Sequence, residues 1–290
     1  MHILIFGHGY SAAALTPLLT AAGWQVSGTS RSDPARVAAA GAAPLLWPGD
    51  EEALRAAIDH ADAILIGTAP GQDGVDPVLA AFSKEIRAAR PRWLGYLSST
   101  NIYGDHGGGW VDEDTPPRPS SRRAQARLAA ERAWTDLARD IAAPLTIFRL
   151  AGIYGPGRGP IAKLRAGTAR RIVKPDQVFS RIHVEDIAGA VRAALDLAHH
   201  QAGGLWVVNL CDNEPLPPED AIAVAAEMLG LPVPPPEDIA TAEMSPMARS
   251  FYADSKRVRN DRLRQLLGYR LRYPDLCSGL AAIIAGEDGR

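Results

Sequence analysis

Short apolar runs alternate with longer, alanine-rich amphipathic stretches through the first half of the chain. The short runs predict buried strands and the longer stretches predict helices. The predicted strands are His2–Phe6, Gln25–Thr29, Ala43–Trp47, Ala63–Gly67, Trp93–Ser98 and Leu145–Leu150. The predicted helices between them are Ser11–Ala22, Asp33–Ala40, Glu51–His60, Pro77–Ala89 and Arg122–Ile141. This alternation predicts an α/β fold with a doubly wound parallel sheet.

The pattern changes at a Gly/Pro loop over residues 155–159. Beyond it we predict a basic segment at Lys163–Lys174, a helix at Val184–Leu197 and a strand at Leu205–Leu210. We then predict a helix at Asp220–Leu229, a stiff connection at Pro232–Pro236 and a last helix at Asn260–Leu267, which Gly268 closes. We expect residues 1–160, completed by 181–210, to form a Rossmann-type core. Residues 161–180 and 211–290 are then a small, discontinuous substrate lobe.

A glycine-rich turn, G-H-G-Y-S-A, joins the first predicted strand to the first helix. Gly7 permits the tight turn, and Gly9 lets the backbone approach a pyrophosphate. Ala12 is small enough for the helix to pack closely on the strand. Tyr10 and Ser11 occupy the first helical turn, whose N-terminus attracts phosphate. The motif's place in a βαβ unit therefore predicts a dinucleotide site.

In dinucleotide-binding folds, the residue at the end of the second strand binds the ribose of the cofactor. NAD sites usually have an Asp or Glu there, but this strand ends in Ser30 and Arg31, with no acid before Asp33. Ser30 and Arg31 would hold a 2′-phosphate, which favours NADP over NAD and over FAD. The alternative is that Arg31 is a solvated loop residue and Asp33 caps a helix.

Other strand ends should border the same crevice. The predicted cofactor-binding residues there are Asp50, Thr68, Ala69, Pro70, Ser98 and Tyr154. Asp50 either approaches the adenine or caps the helix that starts near Glu51.

Composition narrows the function further. The chain has 290 residues and a net charge of −2, so no basic surplus points to nucleic acid or to an anionic membrane. The two cysteines, Cys211 and Cys277, lie far apart, and no His or Cys spacing suggests a metal site. No signal sequence or membrane-length apolar run is evident. We expect a cytoplasmic protein that binds no metal, membrane or nucleic acid.

Several stretches together resemble the extended short-chain dehydrogenase/reductase superfamily, of the NAD-dependent epimerase/dehydratase type. They occur in the family's order and cover nearly the whole chain, at residues 97–104, 111–116, 149–158, 182–188 and 208–210. The tail, residues 255–269, is similar to an atypical bacterial branch. The resemblance implies a small-molecule substrate and, because members often pair through two core helices, a homodimer.

Two features depart from that family. The glycine motif is shorter-spaced than the usual Gly-x-x-Gly-x-x-Gly. More seriously, Arg123 and Arg127 stand where family enzymes have a Tyr-x-x-x-Lys pair, in a stretch that runs on to Glu131. Arginine does not trade a proton near neutral pH, so the family's proton relay is absent. Arg127 would still supply positive charge at the cofactor's ribose.

The resemblance leaves four stand-ins for the missing acid. Ser99 and Thr100 occupy the place of the family's substrate-binding hydroxyl, and Tyr103 and Tyr154 carry phenolic groups nearby. Two hypotheses follow. One is an NADP(H)-dependent oxidoreductase, epimerase or dehydratase that acts on a small polar metabolite. The other is a non-catalytic NADP(H)-binding sensor or regulator.

Overall fold

The computed structural model describes residues 1–71, 73–200 and 204–288. Its strands are β1 (His2–Phe6), β2 (Gln25–Ser30), β3 (Ala43–Leu46), β4 (Ala63–Ile66), β5 (Trp93–Ser99), β6 (Trp110–Val111), β7 (Leu145–Leu150), β8 (Gly152–Tyr154), β9 (Arg171–Val173), β10 (Arg181–His183), β11 (Leu205–Leu210), β12 (Pro236–Asp238) and β13 (Arg257–Val258). Its helices are α1 (Tyr10–Ala21), α2 (Pro34–Ala39), α3 (Glu51–Asp59), α4 (Pro77–Ala89), α5 (Arg122–Ile141), α6 (Pro160–Arg165), α7 (Val184–His200), α8 (Pro218–Met228), α9 (Pro246–Ser250), α10 (Asp261–Gln265) and α11 (Leu276–Asp288).

In the described part of the chain, seven strands form one parallel sheet in the order β11-β7-β5-β4-β1-β2-β3. Ile3 of β1 pairs with Val26 of β2 on one side and with Ala63 of β4 on the other. The chain therefore builds outward from β1 to β3 and then crosses back to β4. That reversal opens a crevice at the carboxyl ends of β1 and β4, where doubly wound sheets bind ligands. The predicted fold class is confirmed.

Helices bury both faces of this sheet. Successive side chains of β1 point to opposite faces, so Ile3 and Ile5 join one apolar cluster while Leu4 and Phe6 join the other. The first cluster includes residues of α1 and α7, and the second includes residues of α3, α4 and α5. Strands covered on both faces read as continuous apolar runs, which is why the sequence pattern locates them.

A third apolar cluster builds a small lobe beyond the carboxyl edge of the sheet. Ile161 of α6, Ala225 of α8 and Leu280 of α11 pack in it with Tyr154. Short parallel ribbons, β8 with β10, β9 with β12, and β6 with β13, supply the remaining backbone pairing. Because β6 lies between β5 and α5 in sequence, the β6–β13 ribbon ties the tail of the chain to the core.

The predicted elements of the first half agree with the structure to within one residue at each end. In the second half, the predicted basic segment overlaps the last residues of α6 and includes β9, and the stiff connection leads into β12. Helix α11 is missing from the prediction because its two glycines, Gly279 and Gly286, are poor helix formers and tertiary packing overrides them. The boundaries of the core and lobe stay a prediction. No helix among the described residues combines the length and apolarity needed to cross a bilayer.

Gly279 provides a test of how α11 packs. A Cβ at this position would overlap the hydroxyl of Tyr154. We expect Gly279→Ala to lower the free energy of unfolding by about 1–3 kcal/mol, because the added methyl must displace a buried ring. Urea unfolding followed by circular dichroism measures the change. Gly286→Ala is the matched control on the same helix, since its Cβ would meet no atom within 4 Å. Equal midpoints for the two variants would contradict this packing.

Candidate functional site

The turn after β1 is pinned to the end of β2. The amide of Gly7 donates to the Thr29 hydroxyl over 2.7 Å, and the amide of His8 donates to the Thr29 carbonyl over 2.8 Å. Gly7 has a φ of 78°, and a Cβ there would lie 2.9 Å from the amide nitrogen of Thr68. Any other residue at position 7 is therefore both strained and obstructed. Ala12 is buried where α1 crosses the sheet.

The N-terminus of α1 opens onto the crevice without a cap. Gly9 is the N-cap residue and offers no side-chain hydrogen bond. The amide of Ala13 donates to the carbonyl of Gly9, but the amides of Tyr10, Ser11 and Ala12 find no acceptor among the described residues. Free amides at a helix N-terminus form an anion site, and their partial positive charge suits a pyrophosphate. The residues present thus fit a dinucleotide.

The Tyr10 side chain turns away from these amides. Its hydroxyl donates to the carbonyl of Pro156 over 2.9 Å, and the Arg158 guanidinium lies 5.6 Å from its ring centroid. A Cβ on Gly155 would come within 2.6 Å of the Tyr10 hydroxyl, so only glycine allows this approach. Burial raises the pKa of Tyr10 to about 12. Tyr10 therefore joins the glycine turn to the loop after β8.

Two guanidinium groups lie near the end of β2. The Ser30 hydroxyl accepts from the amide of Asp33 over 3.0 Å, and the Asp33 carboxylate accepts from the amide of Arg36 over 3.0 Å. Asp33 is thus the N-cap of α2. Arg31 is exposed, while Nη2 of Arg36 donates to the His8 carbonyl over 3.3 Å. Sequence reasoning missed Arg36, and no local sequence signal points to its guanidinium.

The next strand ends supply few free groups. Asp50 is exposed, and its carboxylate accepts from the Leu46 amide over 3.0 Å, so it closes its own turn and leaves α3 without a side-chain cap. Thr68 follows β4 and has a buried hydroxyl oxygen without a partner. Ala69 is exposed and Pro70 is half-buried beside it. Thr68 is therefore the residue of this group with hydrogen-bonding capacity to spare.

Arg127 has a fixed place at the crevice. Its Nη1 donates to the Leu97 carbonyl and to the Tyr96 hydroxyl, each over 3.0 Å, and to the Thr68 carbonyl over 3.4 Å. These bonds hold its charge at the carboxyl ends of β4 and β5. Arg123, one helical turn earlier, is exposed and makes no hydrogen bond or ion pair with the residues that the structure describes.

A buried polar network occupies two of the predicted site residues. The Ser98 hydroxyl donates to Glu131, and Arg149 pairs with Glu131 over 2.9 Å. Arg149 also donates to the Tyr103 hydroxyl over 2.9 Å, which in turn donates to the Asn209 side chain over 2.8 Å. Burial raises the pKa of Tyr103 to about 12. The hydroxyls of Ser98 and Tyr103 are therefore both used in hydrogen bonds that join elements of the core.

The remaining hydroxyls differ in how free they are. The Ser99 hydroxyl accepts from the Asn101 amide over 3.2 Å and is half-buried, so its proton stays available. Thr100 is buried and donates to the Leu150 carbonyl over 3.4 Å. Tyr154 packs inside the lobe, where its hydroxyl donates to the Asp275 carbonyl over 3.4 Å. Among these three, Ser99 retains a donor for a substrate oxygen.

The described residues hold no group of three or more His, Cys, Asp or Glu side chains arranged for a metal ion. Both cysteines are free thiols.

The comparisons with known proteins agree with this geometry. The model of the NAD dependent epimerase/dehydratase family matches residues 3–210. A solved structure of a functionally unknown conserved protein from Silicibacter pomeroyi DSS is 51% identical, covers 98% of each chain and has a TM-score of 0.90. Protein YeeZ of Escherichia coli K12 is 27% identical over 94% of this chain and 96% of its own. Human epimerase family protein SDR39U1, solved with NADPH, is 21% identical over 98% of this chain and 99% of its own, with a TM-score of 0.72.

The buried ion pair carries a stability prediction. Glu131→Gln keeps the side-chain shape but leaves the Arg149 charge unpaired inside the protein. We expect the free energy of unfolding, measured by urea titration, to fall by about 3–5 kcal/mol. Asp140→Asn on the same helix is the control, because its pair with Arg87 is solvent-exposed and the loss there should stay below about 1 kcal/mol. Similar losses in both variants would refute a central role for the buried pair.

Proposed function

Because the chain belongs to the NAD-dependent epimerase/dehydratase family, we propose that it is an NADP(H)-dependent oxidoreductase, epimerase or dehydratase that acts on a small polar metabolite. The observation that carries the proposal is the uncapped N-terminus of α1. Its free amides, at Tyr10, Ser11 and Ala12, face the crevice at the point where strand order reverses. A helix start in that place binds the pyrophosphate of a dinucleotide.

The choice of NADP over NAD rests on charge at the end of β2. A 2′-phosphate needs cations, whereas a 2′-hydroxyl is usually bound by a carboxylate. Arg31 is exposed there, and Arg36 reaches back across the same end to the His8 carbonyl. The Asp33 carboxylate accepts from the Arg36 amide and so serves as the cap of α2. Arg31 and Arg36 would therefore hold the phosphate by charge-assisted hydrogen bonds.

The catalytic chemistry divides between two residues of this chain. The bound dinucleotide would supply or accept the hydride. Arg127, held by its carbonyl and hydroxyl acceptors, would orient the ribose and place a fixed positive charge near a substrate oxygen on which negative charge develops. Ser99 would donate a hydrogen bond to that oxygen. Because Ser99 is half-buried, water can reach the same substrate oxygen and supply the proton that an alcohol product needs.

A non-catalytic NADP(H) sensor is the second candidate, and one observation favours it. The hydroxyls of Tyr103 and Tyr154 are both engaged in structural hydrogen bonds, and arginines occupy the two positions of the family's Tyr/Lys pair. The two candidates differ in turnover. An oxidoreductase oxidises NADPH in the presence of some member of a panel of small carbonyl compounds, whereas an epimerase or dehydratase converts its substrate without net NADPH oxidation. Ser99→Ala slows either reaction. A sensor binds NADPH, consumes none and converts no substrate.

We place this activity in the bacterial cytoplasm, in a homodimer formed through two core helices, without nucleic-acid or membrane partners. Two of the relatives come from bacteria. The free thiols of Cys211 and Cys277 are compatible with a reducing compartment.

Calorimetric titration with NADPH and NADH tests the cofactor assignment. We expect the wild-type protein to bind NADPH more tightly than NADH. Arg31→Ala should weaken NADPH binding by about tenfold and leave NADH binding unchanged, because only the 2′-phosphate loses a charged partner. Arg55→Ala is the control, since Arg55 pairs with Glu85 in an exposed salt bridge between α3 and α4. If neither NADPH nor NADH binds, the proposal is overturned.

A further inference from the structure

Arg181 is a buried arginine that lacks a carboxylate partner. It lies on β10 and is 8% exposed. Its Nη1 donates to the backbone carbonyls of Phe179 and Leu216 over 3.1 and 3.2 Å. Among the described residues it forms no ion pair, and Nε and Nη2 have no acceptor. Neither of these two nitrogens is among the fully enclosed side-chain atoms without a partner.

The contrast with Arg149 shows how unusual this is. The two arginines are equally buried, but Arg149 has Glu131 as a bidentate partner. Burial lowers the pKa of Arg181, whereas for Arg149 the bonds and charge of Glu131 outweigh burial and raise the pKa. A buried charge without a partner destabilises a protein. Arg181 is therefore a cost to the free protein that an anionic ligand would remove.

The neighbouring acids form no ion pair with Arg181. Asp212 is 1% exposed, and one carboxyl oxygen accepts from the Glu214 amide while the other, Oδ2, is buried without a partner. Burial raises the pKa of Asp212 to about 7. Asp212 and Glu214 attract Arg181 through space, but among the described residues no carboxylate oxygen accepts a hydrogen bond from it. The donors Nε and Nη2 therefore remain without an acceptor.

Arg181 borders the crevice. Strand β10 pairs with β8, in which Arg181 lies beside Gly152, and β8 follows β7 directly at the carboxyl edge of the sheet. Gly152 is exposed, and Cγ of Arg181 lies 3.8 Å from the position that a Cβ of Gly152 would take. The stem of Arg181 thus runs past an open glycine at the same edge of the sheet that carries Ser99 and Arg127.

We propose that Arg181 binds the carboxylate of a small monocarboxylate substrate through Nε and Nη2. This rests on the proposed function, since it names the substrate class for that crevice. Two parallel N–H groups match the two oxygens of a carboxylate. A carboxylate brings one negative charge to the one guanidinium, whereas a phosphate dianion would bring a second negative charge close to Asp212 and Glu214.

The experiment measures thermal unfolding of the nucleotide-free protein in about 100 mM sodium acetate, with sodium chloride and sodium phosphate at matched ionic strength. We expect acetate to raise the wild-type Tm by about 2 °C above chloride, since binding to the folded state alone is stabilising. Arg181→Gln should lose this shift, while its Tm in chloride stays at or above the wild-type value because the unpaired charge is gone. Arg181→Lys keeps the charge without the fork and should show a smaller shift. Arg139→Gln, an exposed arginine of α5, should behave as wild type.

Three outcomes would overturn the inference. They are an equal acetate shift in Arg181→Gln, an Arg181-dependent shift that is larger with phosphate than with acetate, and no shift with either anion. A fall of several degrees for both Arg181 variants in chloride would show that the residue is structural. Because these scans contain no nucleotide, their result is independent of NADPH titration. Acetate binding without NADPH binding contradicts the proposed function alone, and the reverse contradicts only the subsite.

Discussion

The pair between Glu131 and Arg149 is the contact around which the core is organised. It joins α5 to β7, and through Ser98 and Tyr103 it reaches both ends of the turn after β5. Tyr103 passes the chain of hydrogen bonds to Asn209 on β11, whose side chain donates to the carbonyl of Arg259 in the tail. A charge pair at this depth tolerates little displacement, because either partner alone would be a buried charge. The network thereby fixes the positions of β5, β7, β11, α5 and the tail relative to one another.

This network also explains which groups are left for chemistry. Ser98 and Ser99 are consecutive residues of one strand and point to opposite faces. The Ser98 side chain belongs to the buried network, and the Ser99 side chain lies on the crevice side. The two arginines differ in the same way. Arg149 is ion-paired inside the core, whereas neutral hydrogen-bond acceptors hold the charge of Arg127 at the edge of the sheet. A chain without the family's Tyr/Lys pair still keeps a cation and a hydroxyl at the crevice.

The sequence was most informative where one local rule dominates. Continuous apolar runs located the strands of the first half, and the spacing of Gly7, Gly9 and Ala12 located the turn that the structure opens towards the crevice. The family resemblance placed Arg127 at the position of the missing lysine. It could not show that Arg123 would stay exposed, because that depends on what packs against the first turn of α5.

The sequence could not predict which side chains form hydrogen bonds or packing contacts with residues far away in the chain. Tyr103 reads as a free phenol until Arg149 and Asn209, distant in the chain, are brought to its hydroxyl. Tyr154 reads as a crevice residue until α11 covers it. Arg181 carries no signal at all in the sequence, since its lack of a partner is a property of the assembled lobe. Such features arise from long-range contacts, which spacing along the chain does not encode.

Arg36 links recognition to architecture. Its guanidinium reaches the carbonyl of His8, inside the glycine turn, from the helix that follows the ribose-reading strand. One side chain thus contacts the glycine turn and places a positive charge near the end of β2. Under the proposed cofactor assignment, removing Arg36 would remove a hydrogen bond to the glycine turn together with a charge near the 2′-phosphate. Arg31 makes no such contact, so a redesign towards NAD that began at Arg31 would leave the turn intact.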